Sequence, residues 1–140
     1  MMSDTETETL EVGGMLDEWM PYEVLRREDG VLELAVEFTT AHLNRAGIVH
    51  GGFIMTALDT ALAGGAAATA MRDHRRFGIT LSMTTNFISA VGPGRSICRA
   101  QTTGGGRTTK FVDAVLHDAL DADNLYASAT ATVRVVELDE

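Results

Sequence analysis

One segment of the sequence, Phe53 to Met71, constrains the fold more than any other. It is apolar on nearly all sides, and its 19 residues would form a helix roughly 28 Å long at about 1.5 Å per residue. Such a helix either spans a membrane or lies buried in the core of a globular domain. Ala and Gly contribute little to membrane insertion, and Asp59 alone would cost about 2.5–3.5 kcal/mol at a bilayer centre. The sequence therefore favours a buried helix, which needs a layer of other secondary structure around it.

The segments on both sides of this helix alternate between apolar and polar residues, as β-strands with one buried face do. In the strand over 31–38, Glu33 and Glu37 oppose the apolar face formed by Leu32, Leu34, Val36 and Phe38. Further strands are predicted over 22–27, 78–88, 95–103, 107–118 and 125–136, and a short helical turn over 13–19. Turn signals separate the strands, among them Glu28-Asp29-Gly30, Gly92-Pro93-Gly94 and Gly104-Gly105-Gly106.

The order of these elements predicts the fold class. Two strands precede the helix, and about four antiparallel strands follow it in a meander, the first with Ile79, Leu81, Met83, Thr85 and Phe87 on one face. One long central helix wrapped by a strongly curved antiparallel sheet of about six strands is an α+β fold of the hotdog type. We expect residues 13–140 to form this single domain, with a disordered acidic tail over 1–12.

The composition argues against some classes of binding partner and indicates the cellular location. The formal net charge of −9 argues against nucleic acid and against anionic membrane surfaces, because both need clustered positive charge. Cys98 is the only cysteine, so no internal disulfide can form, and it is expected to pack as a small hydrophobic residue. The start of the chain lacks a basic-then-apolar signal pattern. A reducing, cytoplasmic location is the expectation.

Asp59 is the strongest indication of chemistry. It is the only charged residue between His50 and Arg72, and carboxylates are seldom buried without a partner. Either it is a packing residue bonded to a neighbouring hydroxyl, such as that of Thr56 or Thr60, or it is a general base or nucleophile in a cleft. We expect the second role.

The triplet His50-Gly51-Gly52 lies where the helix is expected to begin. Glycines let a ligand approach the backbone closely, and the first N–H groups of a helix have no intrahelical partner. Together with the positive end of the helix dipole, such groups stabilise a developing oxyanion. The alternative is a flexible junction between loop and helix with no further role.

The spacing of Gly51 and Asp59 along one helix indicates that they do not act on the same atom within one chain. Eight residues along one helix correspond to about 12 Å, which is too far for both groups to reach one reacting atom. Either they serve different purposes or they meet across a two-fold dimer, where the helix start of one chain faces the carboxylate of the other. If both are catalytic, a monomer is inactive.

Two more polar residues are candidates for the same site. Asn44, six residues before His50, is either a turn residue or an amide that orients a water or a bound carbonyl group. Thr80, on the polar face of the strand after the helix, is a hydroxyl candidate for holding Asp59 or a water.

Taken together, Asn44-x5-His50-Gly51-Gly52-x6-Asp59, followed by Gly78-Ile-Thr80-Leu and Asn86-Phe87-Ile-Ser-Ala, resembles the PaaI-like (phenylacetate-degradation type) hotdog thioesterases. The resemblance runs from about Glu33 to Val136. It implies hydrolysis of acyl-CoA thioesters by homodimers or dimers of dimers, without a metal and without a cofactor other than the CoA of the substrate.

The resemblance also implies roles for individual residues. The Gly51 N–H polarises the thioester carbonyl, Asn44 lies beside it, and the partner chain's Asp59 is general base or nucleophile. His50 supports the loop and the substrate, and Thr80 positions the water. Gly52, Arg107 and Lys110 are predicted substrate contacts, since Arg107-Thr-Thr-Lys110 resembles the family's basic strand start near the CoA phosphates. The alternative for that strand start is a solvated edge, and His42, His74 and His117, which lack motif support, are predicted at the surface.

Two other functions are compatible with this fold. One is a module that binds acyl-CoA without turnover. The other is a hydratase or dehydratase, in which a His and an acidic residue act as acid and base at a double bond. The chain has neither an Asp-x-Asn-Pro-x-x-His loop nor a His-Phe-Pro-Gly-x-Pro stretch, which makes the second less favoured.

Overall fold

The computed structural model describes residues 16–139 of the chain. The acidic tail over 1–12 and the start of the predicted helical turn therefore lie outside the described residues. The elements, in chain order, are α1 (Leu16–Trp19), β1 (Tyr22–Glu28), β2 (Val31–Phe38), a 3₁₀ turn (Thr40–His42), α2 (Gly51–Ala67), β3 (Arg76–Phe87), β4 (Gly94–Gly105), β5 (Thr109–Asp118) and β6 (Leu125–Glu137).

The six strands form one antiparallel sheet in the order β1-β2-β4-β5-β6-β3. Helix α2 packs against five of them, β2 to β6. This confirms the predicted α+β hotdog fold, with one long helix on a curved sheet. Among the described residues, no helix combines the length and the apolar character that a membrane crossing requires.

The predicted meander is wrong at its first strand. Of the four strands after the helix, β4, β5 and β6 are neighbours in chain order, while β3 pairs with β6 at the far edge of the sheet. There β3 lies directly against helix α2 at Gly78, where an added Cβ would be 2.2 Å from the carbonyl oxygen of Ala63. Alternation along a strand indicates which face is buried but not which strand is its neighbour. Within the described residues, strand β3 thus has a strand partner on one side only.

Strand β3 also changes the face that it presents to the helix. The register with β6 shifts between Thr80 and Ser82, so that Gly78 and Thr80 face α2 before the shift and Met83 faces the core after it. Ile79 and Leu81 point away and are 43% and 58% exposed. The predicted common face of Ile79, Leu81 and Met83 is therefore wrong, because a bulge moves every later side chain to the opposite face.

Helix α2 is buried on one side rather than on all sides. Met55 is 39% exposed, whereas the side chains facing the sheet are buried, namely Ile54, Ala57, Leu58, Ala61, Leu62 and Ala66. The helix also begins earlier and ends earlier than the apolar segment predicts, at Gly51 and Ala67. At its end Ala68 turns extended, and its carbonyl accepts the N–H of Gly30 from the β1–β2 turn at 3.0 Å.

Candidate active site

Helix α2 begins at Gly51 because His50 caps it. His50 has an extended backbone (φ −60°, ψ 134°), and its Nδ1 accepts the Gly52 N–H at 3.1 Å. A ring nitrogen that accepts carries no proton, so a neutral His50 holds its proton on Nε2. The cap satisfies one of the N–H groups that have no partner within the helix. Gly52, a predicted substrate contact, therefore has its N–H already engaged.

The Gly51 N–H is in a different position. Within the described part of the chain it has no hydrogen-bond acceptor, and it is the first amide of α2. Gly51 lines a cleft of about 380 Å³ together with Asn44, Ile48, Val49, Ile54, Phe87, Ile88, Ser89, Ala90 and Val91. An amide without an acceptor at the positive end of a helix, in a residue that lines a mainly apolar cleft, is suited to bind a carbonyl oxygen that gains negative charge.

Asn44 closes a turn and also lines this cleft. Its Oδ1 accepts the N–H of Ala46 at 2.9 Å and that of Ile48 at 3.4 Å, which identifies that atom as the oxygen. The remaining amide NH₂ group has no partner among the described residues. The two roles considered for Asn44 are therefore compatible, since the turn fixes the side chain and leaves its donor available.

Asp59 is held by strand β3. The hydroxyl of Thr80 donates to its Oδ1 at 2.6 Å, and the Asp59 side chain is half-buried. The hydroxyls considered as packing partners lie elsewhere, since Thr56 donates to the Gly52 carbonyl and Thr60 to the Thr56 carbonyl. The structure thus brings together two of the predicted residues, Asp59 and Thr80. Their catalytic roles stay predictions.

The two halves of the predicted site are apart within one chain. Neither Asp59 nor Thr80 lines the cleft that contains Gly51. Thr80 lies in β3 and Asp59 on α2 next to it, and the outer edge of β3 has no strand partner among the described residues. Within one chain, the Asp59 carboxylate and the Gly51 amide therefore do not share a cleft.

The two predicted CoA contacts, Arg107 and Lys110, lie in different surroundings. Arg107 is exposed in the turn before β5, not in the strand, which starts at Thr109. The tight turn at Gly105 (φ +109°) and Gly106, whose N–H donates to the Thr109 carbonyl, delays that start. Lys110 is half-buried and pairs in register with Val133, which in turn pairs with Thr80. Neither cation forms an ion pair with a described residue.

The model of the thioesterase superfamily matches residues 46–122, more than half of the 140 residues, and the match contains the His50-Gly51-Gly52 triplet, Asp59 and Thr80. The chain belongs to the thioesterase superfamily. The predicted enzyme class, a thioester hydrolase, is confirmed by this membership. No curated protein matches the sequence.

Several solved structures share the fold of this thioesterase. Conserved protein PA5202 from Pseudomonas aeruginosa is 24% identical with a TM-score of 0.77, over 90% of this chain and 97% of that one. The smu.793 protein of Streptococcus mutans UA159, solved bound to acetyl CoA, is 25% identical with a TM-score of 0.72, over 85% and 91%. Thioesterase HI1161 from Haemophilus influenzae is 17% identical with a TM-score of 0.76, over 99% and 98%.

The surface position predicted for His42 is wrong. This side chain is 4% exposed, with its Nδ1 bonded to the Thr39 N–H and its Nε2 to the Trp19 carbonyl oxygen. The sequence signal was Thr39 followed three residues later by a side chain able to accept a hydrogen bond, which is a capping box in this thioesterase. His74 is exposed as predicted, while His117 is half-buried and contacts the Asp118 carbonyl.

Cys98 packs as predicted. It is fully buried, its thiol donates weakly to the Ala57 carbonyl, and burial raises its pKa well above the usual range of a thiol. A thiol that stays protonated is neither a nucleophile nor a metal ligand at neutral pH. Cys98 is therefore outside the chemistry of this thioesterase.

Proposed function

We propose that this thioesterase hydrolyses acyl-CoA thioesters to a free acid and CoA, as a PaaI-like enzyme whose sites combine residues of two chains. One observation carries the proposal: Gly51, whose amide has no acceptor among the described residues, lines an apolar cleft, while Asp59, held by Thr80, lies on the same helix beside the edge strand β3. The relative solved bound to acetyl CoA supports a CoA thioester as substrate.

The open edge of β3 supports a specific dimer. If two β3 strands pair antiparallel about a two-fold axis between residues 83 and 84, then residues 80 and 87 are equally distant from that axis. Thr80 of one chain thereby lies opposite Phe87 of the other. Phe87 is next to the oxyanion amide, since a Cβ on Gly51 would be 3.4 Å from its ring. This register brings the partner's Asp59 toward Gly51.

The chemistry follows from these positions. The thioester carbonyl oxygen accepts the Gly51 N–H, and the Asn44 amide donates beside it, so that charge developing on the oxygen is stabilised. The partner's Asp59 either takes a proton from the water that attacks the carbonyl carbon, or attacks that carbon itself to form an anhydride that water then hydrolyses. The carbon–sulfur bond breaks, and the CoA thiolate leaves and is protonated. No metal ion and no further cofactor take part.

The remaining substrate contacts in this proposal lie in two regions, one for the acyl group and one for the CoA phosphates. The apolar lining of the cleft, with Ile54, Phe87 and Val91, suits the acyl group. Arg107 and Lys110 are free cations among the described residues and contact the CoA phosphates in this proposal. Because the chain as a whole is acidic, this attraction is local and weakens as salt is added.

A substrate panel tests the proposed function. Short-chain, long-chain and aryl-acetyl CoA thioesters are incubated with the wild type and with Asp59→Ala and Asp59→Asn, and free thiol is measured. Release by the wild type alone, with both variants still folded, is expected. Near wild-type turnover by either variant contradicts the mechanism. Tight binding without thiol release across the panel would favour a non-catalytic acyl-CoA-binding protein.

A further inference from the structure

His42 is an unusual side chain for its surroundings. It is one of two buried polar or charged residues among those the structure describes, the other being Ser96. Nδ1 accepts the Thr39 N–H at 2.9 Å, so the proton of the neutral ring is on Nε2, which donates to the Trp19 carbonyl oxygen. Both ring nitrogens are therefore bonded to backbone groups, and the Thr39 hydroxyl also lies 3.4 Å from Nδ1. The ring cannot rotate or slide without breaking one of these bonds.

The same residue reaches the start of α2 by two routes. Its ring packs edge-on against Phe53, two residues after Gly51, with centroids 4.8 Å apart, and on its other side against Phe38 at 5.5 Å. Its carbonyl accepts the N–H of His50, the residue that caps α2, at 2.9 Å. One contact fixes the first turn of the helix, and the other fixes the residue before it.

His42 does not line the cleft that contains Gly51. It therefore touches no substrate there, and any effect on the reaction passes through His50 and Phe53. Hydrophobic packing alone would not need an imidazole at this place. A Phe would fill a similar volume but would leave the part-buried Thr39 N–H and Trp19 carbonyl without their protein partner, which costs stability.

We propose that His42 is a positioning residue for the Gly51 amide: it ties α1 and the loop after β2 to the first turn of α2. The inference rests on the proposed function, because position matters only if the Gly51 N–H binds the reacting carbonyl. Misplacement of a catalytic group by about 1 Å can cost on the order of 100-fold in rate, so small shifts at this helix start are measurable.

The test compares two substitutions at one position. His42→Phe keeps the ring packing and loses both hydrogen bonds, whereas His42→Asn keeps an acceptor within reach of the Thr39 N–H. With the CoA thioester that the wild type hydrolyses best, kcat of His42→Phe is expected to fall by roughly 10- to 100-fold. KM should change by less than about threefold, because the cleft lining is untouched. His42→Asn should recover at least about threefold of the lost kcat but stay below wild type, because its shorter side chain keeps the bond to Thr39 and loses the one to the Trp19 carbonyl.

A matched control separates positioning from general loss of stability. Leu32→Ala removes a buried side chain at the other end of α2, where Leu32 lies against Gly64. It should lower the melting temperature and leave kcat within about twofold of wild type when assayed well below that temperature. An amide NMR spectrum adds a readout independent of turnover, in which His42→Phe shifts the Gly51 and Gly52 signals and Leu32→Ala does not.

The outcomes are distinguishable. If the wild type hydrolyses CoA thioesters and His42→Phe keeps its kcat and its Gly51 amide signal, the positioning role is overturned and the proposed function stands. The positioning role is also overturned if Leu32→Ala loses as much kcat as His42→Phe. If His42→Phe does not fold, wild-type kcat in His42→Asn with unchanged Gly51 and Gly52 signals overturns the role. A wild type that hydrolyses none of the thioesters overturns the proposed function and this inference with it.

Discussion

The Thr80 hydroxyl on the edge strand β3 donates a 2.6 Å hydrogen bond to the Asp59 carboxylate on α2. Hydrogen bonds to charged groups contribute about 1.5–3 kcal/mol when intact. Thr80→Val keeps the shape and removes the donor, so we expect kcat for a CoA thioester to fall at least about tenfold. Thr80→Ser retains a hydroxyl and should stay within about threefold of wild type.

Steady-state kinetics on both variants check this prediction. The fall should appear in kcat rather than in KM, because Thr80 does not line the cleft with Gly51. Circular dichroism and the melting temperature serve as controls for folding. Equal activity of Thr80→Val and wild type would mean that Asp59 does not depend on this bond.

At the start of α2, a substitution to Pro can remove one N–H group without changing the backbone conformation. Gly51 is the first residue of the helix, where Pro is well tolerated, and His50 already has the extended backbone that a following Pro requires. Gly51→Pro deletes the N–H, while Gly51→Ala retains it and brings a Cβ only to 3.4 Å from the Phe87 ring. We expect kcat to fall on the order of 100- to 1,000-fold in Gly51→Pro.

Unfolding curves and kinetics of the two variants are measured together. Both should keep a free energy of unfolding within about 1 kcal/mol of wild type. Gly51→Ala should keep most of the turnover. If Gly51→Pro folds and remains as active as Gly51→Ala, the Gly51 amide is not the oxyanion donor.

Local sequence patterns were enough to predict much of the fold and part of the site. The buried face of β2 follows from alternation within eight residues, and the choice of Asp59 as a candidate follows from a lone charge in an apolar helix. The contact with Thr80 was among the expectations because a polar residue in the following strand could reach back to the helix. Each of these inferences depends on residues close in sequence or on the contact between two consecutive elements.

The features that were missed depend on distant contacts. Which strand borders β3, and where a bulge reverses its faces, are decided by packing against Ala63 and by pairing with β6. The burial of His42 depends on the Trp19 carbonyl, 23 residues away in sequence. The spacing of apolar residues along the sequence does not indicate a hydrogen-bond partner that far away. The short capping pattern from Thr39 to His42 was the one local signal available.

The close approach of β3 to α2 makes Gly78 sensitive to substitution. A Cβ there would lie 2.2 Å from the Ala63 carbonyl oxygen, and backbone cannot yield as a flexible side chain does. Gly78→Ala should therefore destabilise the fold by about 1–3 kcal/mol or more. Gly92→Ala is the matched control, because nothing lies within 4 Å of its added Cβ. Denaturant unfolding of both proteins measures the difference, and equal stability would contradict the packing described for β3.

The two halves of the site should complement each other between chains. Gly51→Pro lacks the oxyanion amide and Asp59→Asn lacks the carboxylate, so each homodimer is inactive. A mixed dimer, however, has one site with the amide from the Asp59→Asn chain and the carboxylate from the Gly51→Pro chain. With random exchange, half of the dimers are mixed and each has one intact site, so activity should return to about a quarter of wild type.

The experiment requires that subunits exchange, which differently tagged chains report by native mass spectrometry. Each variant mixed with itself is the control and should show no recovery. If instead both groups act within one chain, every site in a mixed dimer carries one defect, and activity stays at the level of the separate variants. Mixed dimers without recovered turnover would therefore rule out the shared site, whereas recovery requires the partner's Asp59 to reach the Gly51 amide. That result would also account for why no carboxylate of the described residues lines the cleft beside Gly51 within one chain.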